Sequence, residues 1–401
     1  MKVLDRFCLG LRTCLCRFLY ASALFYLSNG LSHADETSSI EAFDRLWSKV
    51  TLWQSEDGLG YAALSGRLQA DSYWYSADED DVPPGADDHA EDFVWRRFRF
   101  GGKGKFHSGV TWGLEADLNL NNEIDDWYTR LTDAYLGYSF SKALNLRVLK
   151  QSVAFTLDGA ISSKNLLTPE RNNVTNNLWD SDEYYSGVQL SGSFLEDWSY
   201  KAGVFSGEDD DEIEFSQVGY FTLTSIGYNF AKDLDMKNAT VRIDYVYNSK
   251  NDDKPNDLNN NRTTNHRHTV TLASLWAWGD VGLNAGATLG TGMSNLAEQS
   301  ELRGFSVTPY YSLDRHNQFV ARYTFIESED ENGIRLNRYE SELVSGRGDE
   351  YNEFFVGYNL YIYGQKLKLQ AGVQYTDMSD SANDGGEYSG WGLTTAFRNY
   401  W

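Results

Sequence analysis

The sequence is poor in cysteine, proline and long hydrophobic runs. All three cysteines, Cys8, Cys14 and Cys16, lie close to the N-terminus, so the rest of the chain has no disulfide and no thiolate metal site. Mean hydropathy is −0.51. The apolar run at residues 18–27 has ten residues, against the roughly 20 that a membrane-spanning helix needs, so a helical membrane protein is excluded.

Positive charge is also scarce, since 35 Lys and Arg face 58 Asp and Glu and leave a formal charge of −23. This balance excludes a nucleic-acid partner held by a basic surface. Aromatic residues are abundant at 15%, with 26 Tyr and 12 Trp, and there are 35 Gly. A polar, acidic chain with this composition is typical of an outer-membrane β-barrel, which has a polar lumen and aromatic girdles.

The N-terminus has the pattern of an export signal. Four basic residues accompany the apolar run 18–27, and Ser32-His33-Ala34 then offers a cleavage site. We therefore predict a signal peptide over residues 1–34, export from the cytoplasm and location in the bacterial outer membrane.

A short periplasmic segment is predicted over residues 35–58, before a transmembrane β-barrel over residues 59–401. Apolar residues within 38–50 recur at helical spacing and predict a helix. We expect this helix to pack beside the first strand, with an oligomer contact as the alternative.

From Tyr61 onward the sequence alternates between apolar and polar residues, as strands do. Val110, Trp112 and Leu114 share one face of the clearest strand, and Glu115 and Asp117 share the other. This reading gives sixteen strands, most of them close to the 9–11 residues of a tilted membrane strand. The predicted spans are 61–75, 92–105, 110–120, 131–140, 144–153, 184–195, 198–206, 219–230, 238–248, 266–278, 281–290, 304–313, 318–328, 353–362, 367–375 and 390–401.

Short and long connections alternate between these strands without exception. Transmembrane barrels have short periplasmic turns and longer extracellular loops, and an even strand number places both termini in the periplasm. The last strand ends the chain at Trp401. A terminal aromatic residue after an alternating strand resembles the signal read by the bacterial barrel-assembly machinery, which we expect as a partner together with outer-membrane lipid and lipopolysaccharide.

Basic residues outnumber acidic ones at the predicted lumen-facing positions, whereas the acidic residues cluster in the long connections. The predicted pore-lining bases are Arg67, Arg97, Arg99, Lys103, Lys105, Arg147, Arg242, Arg267, Arg322, Lys368 and Arg398, together with Lys201. The acids at such positions are Asp71, Glu115, Asp117, Asp133, Asp244 and Glu353. A positively biased lumen favours small anionic solutes. The alternative is that these charges pair across the wall and only hydrate the lumen.

The longest connection, residues 154–183, is too long for an ordinary hairpin loop and contains Lys164 and Arg171. We expect it to fold on itself or into the pore as a constriction loop, with a surface loop as the alternative.

The segment from residue 92 to residue 171 resembles the phosphate-selective porin O and P family. Residues 95–101 (WRRFRFG) look like the family's R-R-x-R-x-G opening, and residues 133–138 (DAYLGY) are similar to its D-A-Y-L-G-Y strand. Residues 147–171 carry short pieces similar to the family's R-V, F-S-L-E, S-S and E-R, in the same order.

This resemblance implies a 16-stranded barrel, usually trimeric, with inward-folded loops, a basic channel lining and passage of phosphate or other small anions. The chain departs from the family pattern at Leu149-Lys150-Gln151-Ser152, where the motif's Lys is lost, at Ala154 and at Thr168-Pro169. These changes lie at the expected constriction, so they affect the expectation that phosphate is the specific substrate.

Motifs for other chemistry are scarce. His266 and His268 share a strand face without an evident third ligand, so we predict no metal site, no cofactor and no catalytic residue. The leading hypothesis is a passive, anion-leaning porin. A non-specific or sugar-uptake porin of the same fold is the alternative, and a barrel hydrolase, which would need a Ser and a His held together, is a more distant one.

Overall fold

The computed structural model describes residues 36–178, 184–207, 212–215, 219–249, 266–293 and 301–401. Most of the chain forms one antiparallel sheet that closes on itself as a sixteen-stranded barrel. The predicted signal peptide, residues 1–34, lies outside the described residues. None of the described helices is long and apolar enough to span a membrane.

Sixteen strands make the barrel wall in chain order, and two short strands that are not part of the wall, β15 (Ile334–Arg335) and β16 (Arg347–Gly348), lie between β14 and β17. The wall strands are β2 (Tyr61–Ser76), β3 (His89–Lys105), β4 (Val110–Leu118), β5 (Tyr128–Ser141), β6 (Leu144–Ser152), β7 (Tyr184–Phe194), β8 (Trp198–Ser206), β9 (Tyr220–Asn229), β10 (Asn238–Asn248), β11 (His266–Trp278), β12 (Val281–Met293), β13 (Leu302–Ser312), β14 (Asn317–Ser328), β17 (Glu350–Tyr363), β18 (Leu367–Ser379) and β19 (Tyr388–Tyr400).

Closure is made by β19 and β2, whose pairing runs from Tyr400 opposite Arg67 to Gly392 opposite Tyr75. With this pairing every wall strand has two neighbours. A closed sheet has no edge of unpaired N–H and C=O groups, which a strand in lipid requires.

The polarity of the wall side chains is the reverse of that in a soluble protein. Along β11, Thr269 and Thr271 are fully buried on the inner face, whereas Val270 and Leu272 between them are 42% and 50% exposed on the outer face. Polar residues face inward and apolar residues face outward, as a lipid-facing barrel demands.

The predicted strands agree closely with the observed ones. Three of them, 198–206, 238–248 and 266–278, have the observed bounds, and the prediction of about sixteen strands is confirmed. The largest difference is at β18, which continues to Ser379 rather than ending at 375. The last residues of β18, Met378 and Ser379, pair with Tyr351 and Glu350 of β17. The sequence after residue 375 is more polar and does not predict a strand, but backbone pairing extends beyond the lipid-facing band.

Two short elements precede the wall, helix α1 (Glu36–Ser48) and strand β1 (Thr51–Gln54). Trp47 Nε1 donates to the Tyr400 carbonyl at 2.7 Å, and the Phe43 ring stacks on Tyr363 at 5.1 Å. The helix therefore contacts the ends of β19 and β17, whereas β1 pairs with the start of β2. β1 covers the part of β2 that extends past the end of β19, so this edge is also paired.

Candidate pore and its two inner loops

The connection between β6 and β7 folds into the barrel. Over its described residues, 153–178, this first inner loop includes the short helix α2 (Asn173–Leu178), and Val153, Phe155 and Leu178 are fully buried. The alternative of a surface loop is therefore excluded for this part of the connection. Residues 179–183 of the predicted loop lie outside the described residues.

Side chains of the wall hold the first inner loop along its length. Arg67 donates to Ser163 Oγ at 2.7 Å, Lys368 Nζ to the Leu166 carbonyl at 2.8 Å, and Arg322 to Thr168 Oγ1 at 2.8 Å. These three bases belong to β2, β18 and β14, so the loop crosses the lumen from β6 and docks on the opposite wall.

Bonds within the first inner loop also define its path. Asp158 is the main junction, because its carboxylate accepts the Asn172 N–H at 2.8 Å and its carbonyl accepts Arg171 Nε at 3.1 Å. Arg171 also donates to the Ile161 carbonyl and is 4% exposed. The predicted constriction residue Arg171 thus connects the two arms of the loop.

A second connection, residues 329–349 between β14 and β17, also folds inward. This second inner loop carries the short strands β15 (Ile334–Arg335) and β16 (Arg347–Gly348), which pair with each other. Tyr339 stacks on Tyr73 of the wall with ring centroids 4.0 Å apart, and its hydroxyl donates to Asp71 Oδ2 at 2.7 Å.

The alternation pattern predicts residues 329–352 only as a long connection and gives no indication of this docking. A signal for it exists in the sequence, because apolar residues recur in a stretch that is otherwise polar. Leu336, Tyr339, Leu343 and Val344 all lie in this connection and are all buried. A solvated extracellular loop has no need for such residues.

The two inner loops pack against each other. Asn176 donates to Asn337 Oδ1 at 2.8 Å, and Asn173 donates to the Arg335 carbonyl at 2.9 Å. Val174 and Leu178 of the first loop join one apolar cluster with Ile334, Leu336 and other residues of the second. The loops therefore form one body inside the barrel.

This body fills one side of the lumen. The inward residues Gln69, Lys368, Gln370 and Arg398, which belong to β2, β18 and β19, are at most 1% exposed. Inward residues on the other side keep contact with solvent: Lys103 is exposed, and Asp133, Tyr135, Arg147 and Lys201 are half-buried. The water-accessible part of the lumen therefore lies toward β3 to β8.

Most of the predicted lumen acids are paired with predicted lumen bases. The five ion pairs are Arg67–Glu115 at 3.1 Å, Arg99–Asp117 at 3.0 Å, Arg242–Asp244 at 2.8 Å, Arg322–Glu353 at 2.7 Å and Arg398–Asp71 at 2.5 Å. These ten residues therefore follow the alternative in which charges pair across the wall. Any excess positive charge in the lumen comes from the remaining predicted bases.

Those remaining bases have different surroundings. Arg97 donates to Gln69 Oε1 at 3.1 Å, and the Arg147 guanidinium lies over the Tyr135 ring at 4.0 Å. Lys368 is hydrogen-bonded to the Leu166 carbonyl of the first inner loop. Lys105, next to the turn after β3, is half-buried, and Arg267, at the start of β11, is exposed.

Lys164 is the predicted constriction residue that stays near solvent. It is half-buried, and its ammonium lies 5.1 Å from the Tyr400 ring centroid. Burial, together with the neighbouring Arg67, lowers the pKa of Lys164 to about 8.

Strand register decides which bases meet at one height of the barrel. Arg67 lies opposite Arg99, and Arg99 lies opposite Asp117. Asp117 in turn lies opposite Arg130 of β5. A row of three arginines and one aspartate thus crosses four neighbouring strands. The sequence alone could not show this row, because a residue's height depends on the register of every intervening strand.

Arg96 is a lumen residue that the alternation pattern misses. Gln69 pairs with Arg97 and Ala70 with Trp95, so Arg96 is the extra residue of a β-bulge. The bulge turns Arg96 inward beside Arg97, and its Nε donates to Glu170 Oε1 at 2.5 Å. Burial alone would raise the pKa of Glu170, but the Arg96 guanidinium holds it well below its usual value.

No arrangement for metal chemistry is visible in the part of the chain that the structure describes, where no three His, Cys, Asp or Glu converge to hold an ion. His268, one of the two histidines considered above, has its Nδ1 2.8 Å from the Tyr245 hydroxyl.

Solved outer-membrane channels share this fold at low sequence identity. OmpF of Salmonella typhi, solved with daunomycin, matches with a TM-score of 0.58 and 13% identity over 86% of this chain and 100% of its own. A loop-deletion mutant of OmpT of Vibrio cholerae gives 0.57 and 13% over 86% and 100%. The outer membrane channel DcaP of Acinetobacter baumannii gives 0.55 and 12% over 86% and 99%.

Compared by sequence with curated proteins, the chain has no match. Residues 63–387, most of the barrel, match the family described as phosphate-selective porin O and P, which the motifs in residues 92–171 predicted. The predicted location in the bacterial outer membrane agrees with this family and with the fold. A closed sixteen-stranded wall, two loops docked inside it and this match lead to one conclusion: the chain belongs to the phosphate-selective porin O and P family of outer-membrane porins.

Proposed function

We propose that the pore is a passive diffusion channel for small hydrophilic solutes that favours anions, phosphate among them. The observation that carries this proposal is the charge around the water-accessible part of the lumen. After the five ion pairs are set aside, the solvent-contacting inward bases include Lys103, Arg147, Lys201 and Lys164, and the acids include Asp133 of the wall and Glu342 of the second inner loop. Rings of Lys and Arg favour anions in a confined pore.

The neighbours of Lys201 support a locally positive field. Lys201 lies within electrostatic range of both Arg147 and Arg242, and Asp244 is the acid among its neighbours. Because Asp244 already pairs with Arg242, it cannot fully compensate two further bases. Charges that crowd a pore in this way matter more for selectivity than the net charge of the whole chain.

The positions that depart from the family motif bear on phosphate as the specific substrate. At the positions that depart from the family motif, Lys150 is buried and its Nζ donates to the Glu212 carbonyl at 3.2 Å. Lys150 therefore does not face the water-accessible lumen. A non-specific or sugar-uptake porin remains the alternative. The proposal includes no catalytic residue, metal or cofactor, and a hydrolase is the alternative outside transport.

The test is the reversal potential of purified protein in a planar bilayer under a KCl gradient. We expect a reversal potential of anion sign, and a shift toward cation preference in the double variant R147E/K201E. The control is R303E, because Arg303 lies in an exposed pair with Glu327 and is 68% exposed. Cation preference in the native protein, or equal selectivity in the native protein and R147E/K201E, would overturn the proposal.

Phosphate is tested in the same bilayer. Block of the chloride current by added phosphate supports phosphate as a substrate, whereas unchanged chloride current removes phosphate and keeps the anion-leaning channel. A bilayer without any conductance would favour the hydrolase reading, which a lipase assay on the same preparation then examines.

We further propose a homotrimer surrounded by lipid and lipopolysaccharide, inserted by the barrel-assembly machinery. The family resemblance supports the trimer. Insertion is supported by Trp401, which directly follows β19 and exchanges backbone hydrogen bonds with Gly66 at 3.2 Å. Chemical cross-linking in intact outer membranes tests the trimer, and dimers or monomers as the largest species would contradict it.

A further inference from the structure

Both inner loops are bonded to the same pair of wall residues, Asp71 of β2 and Arg398 of β19. Arg398 donates to the Pro169 carbonyl of the first inner loop at 3.0 Å and to Asp71 Oδ1 at 2.5 Å. The other carboxylate oxygen, Asp71 Oδ2, accepts the hydroxyl of Tyr339 in the second inner loop at 2.7 Å. We call this pair the seam junction, because β2 and β19 close the barrel.

Both members of the seam junction are shielded from solvent. Asp71 is 0% exposed and Arg398 is 1% exposed. Arg398 also donates to the Ala70 and Phe397 carbonyls, both at 3.1 Å, which fixes the guanidinium against the wall. A buried charge that loses its partner is strongly destabilising. The orientation of Arg398 toward the Pro169 carbonyl therefore depends on Asp71.

The chemistry of the two groups suits a branched contact. A carboxylate has two oxygens that accept hydrogen bonds, and Asp71 uses one for each partner. A guanidinium presents its N–H groups in a rigid plane, and Arg398 uses Nη1 for Asp71 and Nη2 for the first inner loop. Lysine has one side-chain nitrogen and phenylalanine has no hydroxyl, so each branch can be removed separately.

The seam junction holds each loop next to other docking contacts. Pro169 lies between Thr168 and Glu170, and Thr168 Oγ1 and the Glu170 carbonyl both accept hydrogen bonds from Arg322 at 2.8 Å. In the second loop, the ring of Tyr339 also stacks on the wall. A change at the seam junction therefore acts where both loops are attached to the wall.

We propose that Asp71 and Arg398 are positioning residues that hold both inner loops at once, so that loosening this one pair makes both loops leave the wall more often. The loops also pack directly on each other, for example through Asn176 and Asn337. The two routes differ in outcome, because a change at Asp71 should reach both loops and a change at Tyr339 only the second. The proposal goes beyond the proposed selectivity and applies to any solute.

Cysteine labelling measures how often each loop leaves the wall. All three native cysteines lie before residue 17, so C8S/C14S/C16S is a cysteine-free background for the full chain. The single reporters are L166C in the first inner loop and V344C in the second, where the native side chains are 4% and 2% exposed. A water-soluble maleimide reaches such buried positions only when the loop opens locally.

In D71N we expect both reporters to react about tenfold faster, because the variant removes the charge that orients Arg398 and weakens the acceptor for Tyr339. In Y339F only V344C should react faster. In R398K only L166C should react faster, because lysine keeps a charge beside the carboxylate and loses the Nη2 branch. Single-channel recordings in a planar bilayer should show openings to a higher conductance more often in D71N than in the variants that remove one branch.

The matched control is D117N, which also removes a carboxylate paired with an arginine on the lumen side of the wall. Its partners Arg99 and Arg130 belong to the wall, so both reporters should react as in the native background. Heat-modifiable migration in gels checks that each variant is folded. If D71N does not fold, Y339F and R398K decide, because unchanged labelling in both would overturn the proposal.

Three further results would overturn the shared anchor. Faster labelling of V344C alone in D71N would mean that the first inner loop docks without the seam junction. Equal acceleration of L166C in Y339F and D71N would mean that direct packing between the loops transmits the change. Equal acceleration of both reporters in D117N and D71N would mean that loss of any wall carboxylate loosens the barrel.

Discussion

Charged side chains inside this barrel differ in whether a partner neutralises them. Arg322 and Glu353 are both essentially buried and bonded at 2.7 Å, so they stabilise the docked loop and add no net charge to the pore. Breaking such a pair is costly because it leaves one buried charge alone. Glu340 is a different case, because its carboxylate is fully buried without a base at hydrogen-bonding distance among the described residues.

Glu340 makes docking of the second inner loop dependent on pH. Its carboxylate accepts hydrogen bonds from Gln374 Nε2 and Thr376 Oγ1, both at 2.6 Å. Burial, followed by the nearby Glu353, raises the pKa of Glu340 from its ordinary value of 4.5 to about 7. The docked state therefore binds this proton more tightly than the undocked state. Its contribution to docking is complete below pH 4.5 and is lost as the pH rises through 7.

We expect the free energy of undocking the loop to fall by about 3 kcal/mol between pH 4.5 and pH 8. Hydrogen exchange of the amides of residues 334–344, corrected for the intrinsic pH effect on exchange, measures this change. In E340Q the pH dependence should disappear. The same pH dependence in E340Q and the native protein would show that another group titrates.

At the level of elements, the first inner loop crosses the lumen and docks on the opposite wall. It docks through backbone carbonyls, such as those of Leu166, Leu167 and Pro169, which accept hydrogen bonds from Lys368, Asn359 and Arg398. At these three points the acceptors are backbone groups, so the contact does not depend on which side chain the loop carries there. At Ser163, Thr168 and Glu170 the wall instead binds loop side chains.

Replacing residues 160–170 with a Gly-Ser linker of equal length should release the loop from the opposite wall. We expect single-channel conductance to rise severalfold, because the lumen side of β14, β18, β19 and β2 becomes accessible to water. The same replacement at the exposed residues 83–87 is the control and should leave conductance unchanged. Unaltered conductance in the 160–170 variant would mean that the constriction lies elsewhere, for example at the second inner loop.

For the whole molecule, closure between the first and last wall strands decides whether a membrane protein forms at all. β19 pairs with β18 over its whole length and with β2 from Gly392 to Tyr400. Without it, β18 and β2 would each present an unpaired edge to lipid, where no water can satisfy the backbone groups.

Deleting residues 388–401 should therefore abolish insertion and the heat-modifiable migration of a folded barrel. Deleting residues 36–48 instead removes α1 and leaves all sixteen wall strands, so that variant should still insert. A folded, heat-modifiable barrel from the chain that lacks residues 388–401 would contradict closure by β19.

The sequence by itself determined the wall of this protein. Period-2 alternation predicts each strand within a few residues, because lipid outside and water inside impose opposite polarity on successive side chains. The alternation of short and long connections predicts their order, and the motifs in residues 92–171 predict the family. These are local signals, and each can be read without knowing which residues meet in space.

Only the tertiary structure decided how the lumen is filled and which charges remain. Arg398 and Asp71 are 327 positions apart and pair only because the barrel closes. Arg96 faces inward only because of a bulge set by its pairing with β2. The apolar cluster of Val174 and Leu178 with Ile334 and Leu336 needs two loops from distant parts of the chain to dock together. Alternation specifies on which side of the wall a residue lies, whereas height and partner depend on register and loop docking, which involve the whole barrel.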